Sequence, residues 1–253
     1  MARFLYQNRI TADGVTVTSS SELTNRPDDY LLSPARWKKW RSATGTGDQW
    51  VRFDLGSAQT FQAIALVGWR AHTGGAITVQ AHSADLWSSP TVDETLTLPS
   101  PNPTGVVVLW LSSVQTLRYV RILFENTGAA DEYVELGAVH VAPIYEPTFN
   151  VSDDYSFDRT DLSRIVTSDQ GHESADPKPQ RFRFSGQFYR LPAADRSAFL
   201  TMFDAVGVHT PIVFAVDPDE ADLTLYGRFL ETLRLPHVFQ GDVTIPVELI
   251  ESL

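Results

Sequence analysis

The sequence predicts a mainly β protein of two domains with one packed helix. Three observations carry that prediction. Trp50, Arg52 and Asp54 alternate with Val51, Phe53 and Leu55, the period of two that belongs to a strand with one buried face. The alternation returns at 117–124, again rich in the aromatic and β-branched residues that suit a pleated, half-buried surface. Helical spacing of apolar residues is convincing in one place, residues 193–206. Pro143, Pro147 and the Asp153-Asp154 pair mark a linker, which sets a boundary near residue 146 and gives domains 1–146 and 147–253.

Taken in order, residues 1–14 read as a lead-in arm with apolar Phe4, Leu5, Tyr6 and Ile10, closed by an Asp13-Gly14 turn. Residues 15–18 form a short strand, and Asn25-Arg26-Pro27-Asp28-Asp29 is turn chemistry. Arg36-Trp37-Lys38-Lys39-Trp40-Arg41 is the densest basic patch, interleaved by two tryptophans. It suits a stacking platform for nucleic acid or sugar, an anchor on an anionic lipid surface, or a strand edge whose tryptophans pack inward while the cations stay solvated. After the strand at 49–55, Gly56 and Ser57 punctuate and a second strand follows at 61–67. Residues 76–85 alternate again, 86–116 read mostly as loop around a strand at 106–111, and 133–139 close the set.

A tryptophan strand ending in Asp54-Leu55-Gly56, then Arg118-Tyr119-Val120-Arg121-Ile122, then Glu135-Leu136-Gly137, resemble in that order the discoidin-like (galactose-binding-like) jelly-roll β-sandwich over about residues 15–142. Trp40-Arg41-Ser42 stands where that family places a core Trp-x-Ser. Many members carry an Asp-Gly-x-x-x-Thr calcium turn just before it. Here Ser33-Pro34-Ala35-Arg36-Trp37 offers no acidic ligand, so no calcium site is expected. The stretch from Leu66-Val67-Gly68 to Gly74-Gly75-Ala76-Ile77-Thr78-Val79-Gln80 looks more narrowly like the discoidin-like modules of minor tail proteins of tailed bacteriophages. Because discoidin-like domains bind through loops at one end of the sandwich, the resemblance points to Trp69, Arg70, His72 and Trp87 as ligand-binding residues. An aromatic face and Arg or His donors are the usual chemistry of a sugar site. The alternative is that Trp69 and Trp87 fill the end of the core or a subunit contact.

In the second half, polar residues 168–178 with Gly171, Asp176 and Pro177 suggest an exposed loop. The helix 193–206 has Pro192 and Asp195 at its start, Gly207 at its end, and a stripe of Phe199, Leu200, Phe203 and Val206. Strands follow at 211–216, 223–229, 230–235 and 243–251. That order is similar to the tail-tube-like and distal-tail β-sandwiches that stack as rings at a siphophage tail tip.

Charge is uneven. Residues 1–150 carry 11 basic and 14 acidic side chains, a net −3, and residues 151–253 carry 9 and 17, a net −8. An acidic protein is a poor general phosphate binder, so sequence-specific nucleic acid is not expected as a partner. No run of 18 apolar residues predicts a membrane span, and the N-terminal residues lack the pattern of a signal peptide. With no cysteine there is neither a disulfide nor a thiolate metal site.

The carboxylate groups Asp28/Asp29, Asp153/Asp154 and Asp217/Asp219/Glu220 all fall in turn-like polar segments, unlike the buried acid of a glycosidase pair. Six scattered histidines show no His-x-x-x-His spacing, and there is neither a Gly-x-Ser-x-Gly elbow nor a phosphate loop. No catalytic residue, metal or cofactor is therefore expected. The resemblances imply a virion structural protein: a tail-tip or baseplate component, assembled in the bacterial host cytoplasm. Its partners would be itself, as a ring with hexamer favoured over trimer, other tail-tube, baseplate-hub or fibre proteins, and host surface glycan. The alternatives are a carbohydrate-binding module for host surface glycan and, more distantly, a glycan-processing enzyme.

Overall fold

The strand of residues 49–55 does not stop at Gly56 and Ser57. In the computed structural model, which describes residues 1–100, 104–126, 133–231 and 243–252, the chain continues as one strand to Val67. The strands are β1 (Arg3–Leu5), β2 (Thr16–Ser19), β3 (Trp40–Arg41), β4 (Gln49–Val67), β5 (Ile77–His82), β6 (Val92–Thr95), β7 (Val106–Phe124), β8 (Glu135–Leu136) and β9 (Ala138–Ala142). They continue with β10 (Ser156–Asp161), β11 (Arg164–Thr167), β12 (Glu173–Asp176) and β13 (Gln180–Leu191), then helix α1 (Ala193–Val206), then β14 (Ile212–Ala215), β15 (Thr224–Phe229) and β16 (Val243–Glu251). The protein is mainly β, as its periodicities predict.

Two compact units divide the chain. The first holds Ala2–Glu146 together with Ile212–Tyr226, and the second holds Pro147–Pro211 and the residues from Gly227 onward. The segment 147–253 thus lends residues 212–226 to the first unit. The reason is burial: Ile212, Val213, Phe214 and Ala215 are all 0% exposed, and β14 pairs antiparallel with β1, setting Phe4 and Phe214 rings 4.6 Å apart.

The first unit is a β-sandwich built on two long bent strands. One half of β4 pairs with β2 and with the end of β7, in the order β2–β4–β7–β5–β6, and the other half pairs with β7 and β9. Register shifts between Asp54/Gln59 and Phe61/Ala63 mark bulges that bend the ribbon. Gly56 takes φ +75° there, where a Cβ would stand 3.3 Å from the Gly14 carbonyl oxygen. Residues 49–55 and 61–67 are therefore one strand, and so are 106–111 and 117–124, with 112–116 inside the strand and Gln115 and Thr116 paired with Phe61 and Thr60. Polar residues at the bend face solvent and mimic a break.

Val51, Phe53, Leu55, Phe61, Ile64, Leu66, Val120, Ile122 and Phe124 meet Trp40, Leu136, Val139 and Val141 in the main core. Beyond the bend Ala63, Ala65 and Val67 are buried too, against Leu5, Val213 and Tyr226. A strand covered on both faces loses its alternation, which is why 63–67 reads as a continuous apolar run.

In the second unit β13 pairs with β10 on one side and β16 on the other, and β16 pairs with Gly227–Arg228–Phe229 of β15. Helix α1 keeps its expected bounds, with Gly207 (φ +54°) donating its N–H to the Phe203 carbonyl at 2.7 Å. Its buried face is Asp195, Phe199, Met202 and Val206. Leu200, expected in the stripe, is 39% exposed, because the 3.6-residue period puts Met202 and not Leu200 in line with Phe199 and Val206. Asp195 is tolerated on that face because its carboxylate accepts the Thr148 N–H at 2.9 Å. The polar run 168–178 is exposed but not all loop: Glu173–Asp176 pairs with Arg164–Thr167 as a hairpin whose eight ladder residues are all exposed. Of the strand expected at 230–235, residues 232–235 lie outside the described residues.

Candidate functional site

Trp40 fixes the end of the sandwich. Its side chain is fully buried, its indole N–H donates to the Ser21 carbonyl at 3.1 Å, and its ring centroid lies 6.0 Å from that of Phe124. Two residues on, Ser42 ties the loop after β3 to the segment before β8: its N–H donates to the Val134 carbonyl, its hydroxyl oxygen accepts the Val134 N–H, and its O–H donates to the Thr44 carbonyl. Asn126 fastens the same loop from the other side, donating to the Gly45 carbonyl and to the Asp48 carboxylate. At Gly75 the approach is too close for a side chain, since a Cβ would stand 2.3 Å from the Glu125 carbonyl oxygen. The loops 42–48, 70–76 and the residues flanking β8 are thus locked together by hydrogen bonds from side chain and backbone and by close backbone approach.

Upon this frame β3 pairs with β8, placing Arg41 opposite Glu135, and Arg70 exchanges both backbone hydrogen bonds with Glu135 at 2.8 and 3.1 Å. Residues directly opposite across a ladder present their side chains to the same face. The Arg41 guanidinium carbon lies 3.2 Å from the Tyr133 ring centroid and that of Arg70 lies 4.2 Å from it, while Arg70 Nη1 donates to Tyr133 Oη at 2.8 Å. Glu135, with 12% of its side chain exposed, accepts from Arg26 Nη1 at 2.5 Å and stands 3.8 Å from Lys39 Nζ. Four cations therefore surround one carboxylate and one phenol. Glu135 is committed to Arg26 and Lys39, whereas among the described residues Arg41 has no ion pair or side-chain hydrogen bond and the Arg70 side chain donates to the phenol alone.

Of the four residues expected to bind ligand, Arg70 stands in this cluster. Trp69 and His72 share its loop but lie beneath the surface. Trp69 is half-buried against the main core and His72 is 2% exposed; among the described residues neither the Trp69 indole N–H nor either His72 ring nitrogen has a hydrogen-bond partner. Trp87 lies elsewhere, on the outer face of the sheet. Its N–H donates to Asp85 at 2.8 Å, and the Arg121 guanidinium covers its ring at 4.5 Å. Asp85 also binds Arg52, and Arg121 Nε donates to Gln80 Oε1 at 2.7 Å. That cluster separates Arg52 from Arg121, which are directly opposite across β4 and β7. The structure does not bring Trp87 into contact with the other three.

The basic patch 36–41 splits: Trp40 enters the core and Trp37 is 70% exposed, with Lys38 Nζ 5.5 Å from its ring centroid. Arg41, Tyr133 and Glu135 were not singled out from the sequence as ligand contacts. Arg41 lies within that patch, for which a sugar platform is one of the readings, whereas Tyr133 and Glu135 lie within the last expected strand, where the pattern speaks for structure alone. The carboxylate groups have local work: Asp217 accepts the Asp219 N–H at 3.0 Å, and Asp154 accepts from the Ser152 hydroxyl. Among the described residues no three His, Asp or Glu side chains gather as a metal site.

No family model matches the chain, and no curated protein matches it. Among solved structures, the chain is similar to chitosan-binding module 1 of a chitosanase/glucanase from Paenibacillus sp. IK-5, with 23% identity over 53% of this chain and 98% of that one and a TM-score of 0.42. It is also similar to the family 32 carbohydrate-binding module of C. perfringens NanJ in complex with galactose, with 13% identity, 57% and 100% coverage and a TM-score of 0.42. The lectin domain of lectinolysin complexed with Lewis B antigen aligns at 13% identity, 55% and 99% coverage and a TM-score of 0.44. None of these three is a tail protein.

Proposed function

We propose that the first unit is a discoidin-like carbohydrate-recognition module and that it binds at the Arg41–Tyr133–Arg70 end of the sandwich. One observation carries the reading: two guanidiniums are held on one aromatic ring, at the locked loop end, and among the described residues neither is paired with a carboxylate. A guanidinium stacked on a ring keeps its in-plane N–H donors free for a ligand, and the ring fixes their direction beforehand. Fixing them in advance lowers the ordering cost of binding. On this reading the chain binds without turnover. Glycan-array binding that falls at least tenfold in Tyr133→Ala, with no release of sugar from bound polymer, is the expected result. Equal binding by wild type and Tyr133→Ala contradicts it.

The second unit favours a second, compatible reading. The hairpin β11–β12 exposes Ile165 (66%) and Val166 (48%), neighbours in a strand and therefore on opposite faces. A two-stranded hairpin is marginal by itself in water, and a self-assembling protein would cover it. In that setting the chain is a tail-tip or baseplate component that forms a ring, hexamer before trimer, and presents the first unit to host surface glycan. Light scattering at high concentration tests it: a ring mass that is lost in Ile165→Asp supports assembly, and a strict monomer contradicts it.

A further inference from the structure

We infer that the saccharide taken by this end of the sandwich is acidic, its carboxylate seated between the Arg41 and Arg70 guanidiniums; the inference rests on the carbohydrate-binding reading. A neutral sugar hydroxyl both donates and accepts, and sites for neutral sugars supply both kinds of group. Here Arg26, Lys39, Arg41 and Arg70 are donors only. The acceptor among them, Glu135, is taken up by Arg26 at 2.5 Å and flanked by Lys39 at 3.8 Å. Arg70 gives one N–H to Tyr133 Oη at 2.8 Å, which leaves that phenol oxygen its own hydrogen as a further donor. The Arg41 guanidinium gives none to any described residue. Such a set calls for a partner that only accepts, and a carboxylate matches the planar fork of an arginine with two charge-assisted hydrogen bonds.

The setting sharpens the inference. A protein of net charge −11 repels dense polyanions at long range, so a local cationic cluster selects a short acidic sugar chain over a nucleic acid. The same cluster disfavours amino-sugar polymers, which are cationic.

Matched pairs of probes test this on the full chain by isothermal titration: trigalacturonate against its methyl ester, and sialyllactose against lactose. The expected result is that at least one acid binds tenfold or more tighter than its neutral partner, with affinity falling as salt rises from 50 to 500 mM. Arg41→Lys and Arg70→Lys keep the charge and lose the fork; each is expected to abolish most of that preference while leaving the thermal midpoint within a few degrees. Neutral members that bind as tightly as the acids, or an acid preference untouched in both lysine variants, overturn the inference and leave the carbohydrate reading standing. Failure of the four probes together with an empty glycan array overturns both.

Discussion

His140 sits on β9 with 2% of its surface exposed, one ring nitrogen bonded to the Leu5 backbone and Nε2 without a partner among the described residues. Burial disfavours the imidazolium and lowers its pKa from 6.5 to about 3, against a small opposing effect of the Leu5 bond. The folded protein thus holds this group neutral where the unfolded chain is already protonated. Its contribution is fully present above pH 6.5 and is lost as pH falls from 6.5 towards about 3. At about 1.4 kcal/mol per pKa unit that is as much as a few kcal/mol. His140→Asn keeps a donor for Leu5 and cannot charge, so its unfolding free energy is expected to change less with pH across that window. Asp54, whose pKa Arg118 lowers by hydrogen bonding, weakens folding only at the acid end and is common to both proteins. Parallel pH profiles for wild type and His140→Asn contradict this role. At this scale the sequence was partly legible. Loop position at the sandwich end singles out both Arg70 and Trp87, yet Arg70 stands against Tyr133 and Trp87 under Arg121, because spacing along a chain does not tell a loop tip from a loop folded back onto a sheet. Tyr133 has no distinguishing mark until Arg41 and Arg70 are seen against it.

Two glycines separate the effects of shape and backbone at the level of the element. Gly75 lies 2.3 Å, by its absent Cβ, from the Glu125 carbonyl oxygen; Gly47 takes φ +73° with nothing within 4 Å of such an atom. Gly75→Ala is expected to cost about 1–3 kcal/mol through overpacking, and Gly47→Ala about 1–2 kcal/mol through the left-handed backbone alone. Denaturant midpoints measure both, and Gly75→Ala alone is expected to disturb the Arg70 loop and ligand binding. On α1, Phe199→Ala should cost about 3–5 kcal/mol, whereas Leu200→Ser should lie near zero. Equal costs would restore the stripe that puts Leu200 inward. Strands were legible wherever one face is wet, as in 49–55. The union of 49–55 with 61–67 was not, because a bulge with glycine carries the same residues as a turn.

For the whole molecule, the feature least visible in the sequence is that residues 212–226 belong with the first unit. No local pattern announces which sheet an apolar run will join. Without them β1 loses its partner strand, and Leu5, Ala63, Ala65 and Val67 lose the cover of Val213 and Tyr226. Each large buried side chain removed takes away about 2 kcal/mol, so fragment 1–146 is expected to melt well below the full chain or to aggregate, and a fragment as stable as the whole contradicts the division. Where a saccharide binds is tested by amide chemical-shift mapping of the labelled full chain against the best glycan-array hit. Saturable shifts concentrated at Arg41, Ser42, Arg70 and Val134–Glu135 are expected. Shifts centred on Trp87 and Arg121, or an array and titration without any binding, would contradict that placement.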